Sequence, residues 1–299
     1  MHLQLTEEQE ALRDAVSRFL EKAATPEAVR ESEPLGWDPA VWSGLTDMGV
    51  PTLGVAEEHG GSGASLRDLA VVAEACGVRL APAPVVETMV AARLLARFAE
   101  PAAAPLGALV EGGAPVVIAL APAVDGRCLL VPGAAVAAAV VALDGDDLVI
   151  VETSGLDSPA DLGSSPVADV DLTSGTRTVL ASGDEARAAH DRAGDEYRAL
   201  AARWFVGLAR QAQAIGVQYA TERFQFGVAV GSFQTIQHRF ADIACDLDGA
   251  DLLSNKAVWA LDVGDPIEVS FPTMAFWFAG DVAQRASSWS LHVHGGYGF

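Results

Sequence analysis

Lysine and cysteine are both scarce in this 299-residue chain, which has only Lys22 and Lys256 of the first and Cys76, Cys128 and Cys245 of the second. The cysteines are far apart, odd in number and without C-x-x-C spacing. That excludes a disulfide framework, makes all three packing residues and points to a reducing cytoplasm. Positive charge is low altogether: 19 Lys and Arg stand against 40 Asp and Glu, for a formal net charge of −21. A field of that sign repels phosphates, so nucleic acid and anionic membranes are excluded as partners, and any anionic ligand must be met by a local cluster of donors. Long apolar runs are missing too. The longest, Gly133 to Leu143, is too short to span a bilayer and has acidic residues directly behind it. The opening "MHLQLTEEQE" has neither a basic n-region nor an apolar h-region. No G-x-S-x-G elbow, Walker loop or strand-linked G-x-G-x-x-G is present. The histidines are scattered, and the one close pair, His292 and His294, has no carboxylate or cysteine at ligand spacing, so no metal site is expected.

What is there is hydrophobic residue, 51% of the chain, enough for more than one packed region. Periodicity divides the chain into three. Up to about residue 100 the pattern is helical. Thr6 with Gln9 makes a capping box ahead of Leu12, Val16, Phe19 and Leu20. Asp38 and Pro39 read as N-cap and first residue of a helix stopped by Gly49, and Ser65 begins another that Gly77 ends. From about 107 to 182 come six short apolar runs divided by Gly, Pro and Asp: "PVVIAL", "RCLLVPG", "AAVVAL", "DLVIVE", "VADVDL" and "TRTVLA". From about 184 three long helical segments follow, as expected of a bundle. The expected fold is α+β and mostly α: an N-terminal helical domain (1–104), a middle antiparallel β domain (105–183) and a C-terminal helical bundle (184–299). With no β-α-β alternation, a Rossmann or barrel fold is excluded.

Two stretches carry candidate chemistry. In "TERFQFGVAVGSFQTIQHRFAD", Arg223 and Gly227 close one helix and Gln234 falls in the first turn of the next. A planar guanidinium suits a phosphate or pyrophosphate, and a helix start gathers N–H groups; the alternative is a helix-end arginine on backbone carbonyls and an exposed glutamine. The closing "HVHGGYGF" offers bare backbone that a bulky ligand can approach. "GGSGAS" precedes a helix N-terminus as a phosphate loop does, but it follows Glu57 and Glu58 and lacks a lysine, and is read as a structural turn.

Taken in order, "LTEEQEALRDAVSRFL", "LGVAEEHGGSGAS", "RFQFG…FQTIQHRFAD" and "FAGDVAQ…HVHGGYGF" resemble the acyl-CoA dehydrogenase flavoenzymes over nearly the whole chain. The resemblance implies a helical domain, a β domain and a four-helix bundle, with FAD lying between two subunits. By position, Arg223 would bind the pyrophosphate, Phe226 would pack near the adenine, and Gln234 would hydrogen-bond the cofactor. The loop from His292 through Val293, His294 and Gly295 to Gly296 would lie against it through backbone. Where the family commonly has Gln this chain has His292, whose neutral imidazole still donates a hydrogen bond.

The departures narrow the expectation. Leu120 and Ala121 of "ALAPAVDG" stand where the family has the polar pair of its flavin cradle. The family's usual catalytic glutamate lies further along than Phe299. The alternative position on the helix before "RFQFG" is Tyr197, and Glu196, the nearest candidate, is turned by about 100° from it. No catalytic residue is therefore assigned, and the C-terminal bundle is expected to be incomplete.

Three readings stay open: a degenerate half of a heteromeric (α2β2) dehydrogenase of the kind used in sterol side-chain degradation, a clipped homo-oligomeric dehydrogenase, or a non-catalytic acyl-binding or scaffold derivative. The resemblance further implies an acyl-CoA substrate, a homologous partner subunit and an electron-transfer flavoprotein as acceptor.

Overall fold

The computed structural model describes residues 4–265 and 270–298. Its helices begin where the sequence supplies caps. Thr6 closes a capping box on α1 (Glu7–Ala23): its hydroxyl accepts from Gln9 N–H at 3.2 Å, and the Gln9 side chain accepts from Thr6 N–H at 3.1 Å. Helices α2 (Pro26–Glu31) and α3 (Pro39–Asp47) each start on proline behind a side-chain cap, Thr25 and Asp38. Gly49, at φ 70°, turns the chain after α3. Helix α4 (Leu66–Arg79) starts with a second capping box, Ser65 with Asp68, and Gln9 Nε2 donates to Asp68 Oδ1 at 2.8 Å, which ties the starts of α1 and α4 together. Helices α5 (Val85–Arg97) and α6 (Ala103–Val110) complete the N-terminal part, so α6 runs across the boundary expected at 104.

Gly77 does not end its helix. α4 continues to Arg79, and Leu80 takes the left-handed conformation beyond it. Gly77 is instead the point of closest approach to the C-terminal part: a Cβ there would lie 2.0 Å from the carbonyl oxygen of Trp204.

Six strands match the six apolar runs: β1 (Val116–Ile118), β2 (Arg127–Val131), β3 (Ala139–Asp144), β4 (Asp147–Glu152), β5 (Ala168–Asp171) and β6 (Arg177–Ser182). They form a four-stranded sheet in the order β1-β3-β4-β6 and a separate pair, β2-β5. The region is not wholly antiparallel, because β1 pairs with β3 in parallel, Val117 opposite Val140. The excursion through β2 in the other sheet gives the chain the length it needs to return in the same direction. Side chains alternate along these strands: Val116, Ile118, Val141 and Ile150 join the main core under the helices, while Val117, Val140, Val149 and Val151 join a smaller core with Cys128 and Val170 of the two-stranded sheet. Burial on both faces is why these strands read as unbroken apolar runs.

Helix α7 (Asp184–Glu222) is 39 residues long and packs along α4, α8 (Gln234–Val263) and α9 (Phe271–Val293). Between α7 and α8 lies a two-residue hairpin, β7 (Phe224–Gln225) and β8 (Val228–Ala229), with Phe226 and Gly227 at its tip at φ 53° and 83°. After α9 a short 3₁₀ turn covers Gly295–Gly298, and Phe299 of the closing motif lies outside the described residues. The main core runs unbroken from Val16 of α1 to Val293 of α9, so the three segments share it. No helix among the described residues is long and apolar enough to cross a membrane.

Candidate functional site

Arg223 caps the C-terminus of α7, its N–H donating to Tyr219 carbonyl, while its guanidinium is exposed and has no ion-pair or hydrogen-bond partner among the described residues. Facing it is the turn after α9. His294 Nδ1 donates to the Ser290 carbonyl at 2.6 Å, which leaves the outer ring nitrogen free, and the ring stacks on Tyr219 with centroids 4.0 Å apart. Gly295, at φ 61°, and Gly296 have no atoms near the place a Cβ would occupy. Together Arg223, Val293, His294, Gly295 and Gly296 line one cavity of about 400 Å³. An unpaired guanidinium beside bare backbone and a flat stacked pair suits an anion joined to a ring system.

Three expected residues do not line that cavity. Phe226 is 94% exposed at the hairpin tip, where it meets Phe233 edge to face at 6.4 Å. Gln234 is exposed as the first residue of α8. His292 is exposed and set edge-on to Trp289 at 4.9 Å. Two residues along α9 turn a side chain by about 200°, so His292 and His294 point to opposite sides and only the second faces Arg223. Tyr219 was not anticipated, although its i, i+4 relation to Arg223 places both on one face of α7.

Glu196 is only 6% exposed. Arg93 of α5 donates to it twice, Nε to Oε2 at 2.9 Å and Nη2 to Oε1 at 3.2 Å, and Arg192 Nε donates to Oε1 at 3.1 Å. These cations take three of its lone-pair sites and it does not line either cavity of this region, an arrangement at odds with proton abstraction and fitted to joining α5 to α7. The start of α4, behind "GGSGAS", already holds an anion from within the chain, since the Asp262 carboxylate accepts from Leu66 N–H at 3.0 Å and Arg67 N–H at 3.3 Å. The glycine loop itself is spent on backbone bonds: Gly61 N–H goes to Ala56, Gly63 N–H to Val55 and Ala64 N–H to Leu53. It is a structural turn.

In the segment after β1, Ala119 carbonyl accepts from His190 Nε2 of α7 at 2.8 Å, Leu120 packs on the main core and Ala121 is exposed. The side chains at 120 and 121 thus offer no hydrogen bond.

A second cavity, of about 520 Å³, lies where the N-terminal helices, the β region and the bundle meet. Its wall includes Trp204, Phe205 and Phe276 together with Glu87 of α5 and Tyr197 of α7. Tyr197 Oη donates to Glu87 Oε1 at 3.4 Å. Burial raises the Glu87 carboxyl above its ordinary value, against the smaller opposing effect of hydrogen bonds from its own backbone and Tyr197. Burial, and then Glu87, raise the Tyr197 hydroxyl as well, and buried Cys76 is pushed up to about 12 for the same two reasons.

Comparison with known proteins agrees with the fold. The acyl-CoA dehydrogenase N-terminal domain matches residues 6–104 and the acyl-CoA dehydrogenase C-terminal domain residues 192–299. Acyl-CoA dehydrogenase IpdE2 of Mycolicibacterium smegmatis is 31% identical over 296 residues, 98% of this chain and 88% of that protein. The ChsE4-ChsE5 complex from Mycobacterium tuberculosis is 25% identical with a TM-score of 0.87, covering 100% of this chain and 89% of that one. Glutaryl-CoA dehydrogenase from Mycobacterium smegmatis in complex with FADH2 shares the fold at 15% identity and a TM-score of 0.82, covering 99% of this chain and 86% of that one.

Proposed function

The chain belongs to the acyl-CoA dehydrogenase family, and on that premise we propose that it is one subunit of a hetero-oligomeric enzyme that desaturates an acyl-CoA thioester between its α and β carbons, giving half of an FAD site to a homologous partner. One observation carries the reading: Arg223 has no side-chain partner among the described residues and lies beside a glycine turn, at the position where the family binds the cofactor's pyrophosphate. The residues present fit the group. The Arg223 fork matches pyrophosphate oxygens, His294 and the Gly295–Gly296 backbone lie across the same cavity, and Gln234 and Phe226 stand exposed on the outer side of the hairpin, open to a neighbouring subunit.

When bound, FAD supplies the acceptor for the hydride leaving the β carbon. This chain's own part is to hold the cofactor's anionic end. Leu120 and Ala121 offer no polar side chain to a flavin ring, and Glu196 is committed to Arg93 and Arg192. We therefore assign the flavin cradle and the α-proton base to the partner. The acyl group we propose is a bulky apolar one, of the kind sterol side-chain degradation presents, and the electrons leave to an electron-transfer flavoprotein. Apolar side chains exposed at the site end of the bundle, Phe224, Phe226, Phe233 and Tyr297 among them, supply a face for the partner.

The deciding measurement is visible absorbance, with FAD counted per chain, for the protein alone and co-purified with a homologue encoded beside it. Flavin bound only in the mixed complex, at one FAD per two chains, is the expected result. One FAD per chain in the protein alone, together with dehydrogenase activity, would sink the shared-site reading.

A further inference from the structure

Glu87 and Tyr197 are 110 residues apart in sequence and come from different elements, yet their side chains meet in a hydrogen bond of 3.4 Å. That distance is at the weak end of the range, and beside the bond Glu87 takes from its own backbone N–H it leaves both groups able to accept or donate further. The contrast with the neighbouring residue is sharp, since Glu196 takes three guanidinium bonds. No cation among the described residues pairs with Glu87. The pair is set into an otherwise largely apolar wall, where Tyr197 meets Phe276 at 6.5 Å, Phe276 meets Phe205 at 5.7 Å, and Phe205 meets Trp204 at 5.6 Å. A cavity of about 520 Å³ with an aromatic wall, this convergent pair on one side and Ser32, Glu33, Ser164 and Ser165 elsewhere in its lining has the make-up of a small-molecule site in which the polar groups set orientation.

Resting on the acyl-CoA reading above, we propose that Glu87 and Tyr197 are the specificity-determining pair of the acyl pocket, selecting an apolar acyl group that carries a hydroxyl or keto oxygen. A buried carboxyl in its neutral form donates one O–H and accepts through its other oxygen, while the tyrosine oxygen accepts as well as donates. A hydroxyl on the ligand satisfies both kinds of group and a ketone accepts from the carboxyl. A plain hydrocarbon in the same place displaces water from the pair and returns no hydrogen bond, and sites built in this way reject the analogue that lacks the oxygen.

The test is calorimetric binding of three thioesters, 3-cyclohexylpropanoyl-CoA and its 4-hydroxy and 4-oxo derivatives, to the full chain in the complex in which it purifies. The oxygenated thioesters should bind tighter than the plain one by about tenfold or more. Glu87→Leu should bring the ratio close to one, and Tyr197→Phe should lower it in part. If Glu87→Leu fails to fold, Tyr197→Phe, which removes one oxygen and no ring volume, decides the matter. Equal binding of all three by the wild-type protein, or a preference that survives both substitutions, overturns the pair's role and leaves the acyl-CoA reading standing. Failure of all three to bind overturns that reading and this proposal with it.

Discussion

Arg93 and Glu196 meet as a two-bonded ion pair, 2.9 and 3.2 Å, that joins the N-terminal helices to the long helix of the bundle. Both ends are sheltered, with Arg192 completing the carboxylate's partners. Arg93→Ala would leave a buried carboxylate with Arg192 alone, and a loss of about 3 kcal/mol is expected in denaturant unfolding, the low end for breaking a buried pair. Glu196→Gln should also destabilise. The activity of the assembled complex, per folded protein, should be unchanged by it, and a collapse of activity with normal folding would restore Glu196 as a base.

Two glycines set the distance between α4 and α7. A Cβ at Gly77 would lie 2.0 Å from the Trp204 carbonyl oxygen, and one at Gly207 would lie 2.2 Å from that of Glu74. Backbone carbonyls cannot swing aside as a side chain can. Gly77→Ala is therefore expected to cost at least the 1–3 kcal/mol typical of an overpacked core, roughly, in spite of alanine's better helix propensity. Urea unfolding of Gly77→Ala and Gly207→Ala gives the measurement, and a neutral result would mean that the helices separate freely.

Local chemistry was legible in the sequence and pairing across space was not. Thr6 with Gln9, and Asp38 with the N–H groups of Ala40 and Val41 behind Pro39, announce helix starts because donor and acceptor are three residues or fewer apart. The six apolar runs announce strands because a short apolar run and the Gly, Pro and Asp breaks that bound it are local features too. Gly77 misled because a helix stop and a close helix contact demand the same residue, and only the position of Trp204 separates them. The parallel pairing of β1 with β3 depends on where the chain travels between them. Arg223 and the His294–Gly296 turn, both singled out by motif, line one cavity, whereas His292, read as part of the glycine loop, belongs to the last turn of α9 and lies outside it. Glu87 carried no sequence signal at all, since its partner Tyr197 is on another helix.

Glu87 gives stability a definite pH dependence. Its folded value is raised above the ordinary 4.5, mainly by burial, so above that pH the folded chain retains a proton that the unfolded chain has lost. Stability from this group is fully present below about 4.5 and declines as pH rises through the folded value. Glu87→Gln cannot titrate, so its stability relative to wild type should improve steadily from about pH 5 upward. Parallel denaturant curves across about pH 5 to 8 check this. A constant difference would mean that the carboxyl titrates normally in the fold.

Arg223 separates binding from stability. Its guanidinium has no partner among the described residues, so Arg223→Ala should leave the melting behaviour of the chain within about 0.5 kcal/mol of wild type. In the assembled complex the same change removes charge-assisted bonds worth about 1.5–3 kcal/mol each, and flavin affinity should fall about 10- to 100-fold. Arg223→Lys restores the charge without the planar fork and should recover part of that loss. Flavin retained per complex through gel filtration, read by absorbance beside a thermal melt, separates the two effects. Full flavin occupancy in Arg223→Ala would place the pyrophosphate elsewhere. A parallel loss of stability would instead show the arginine serving the fold.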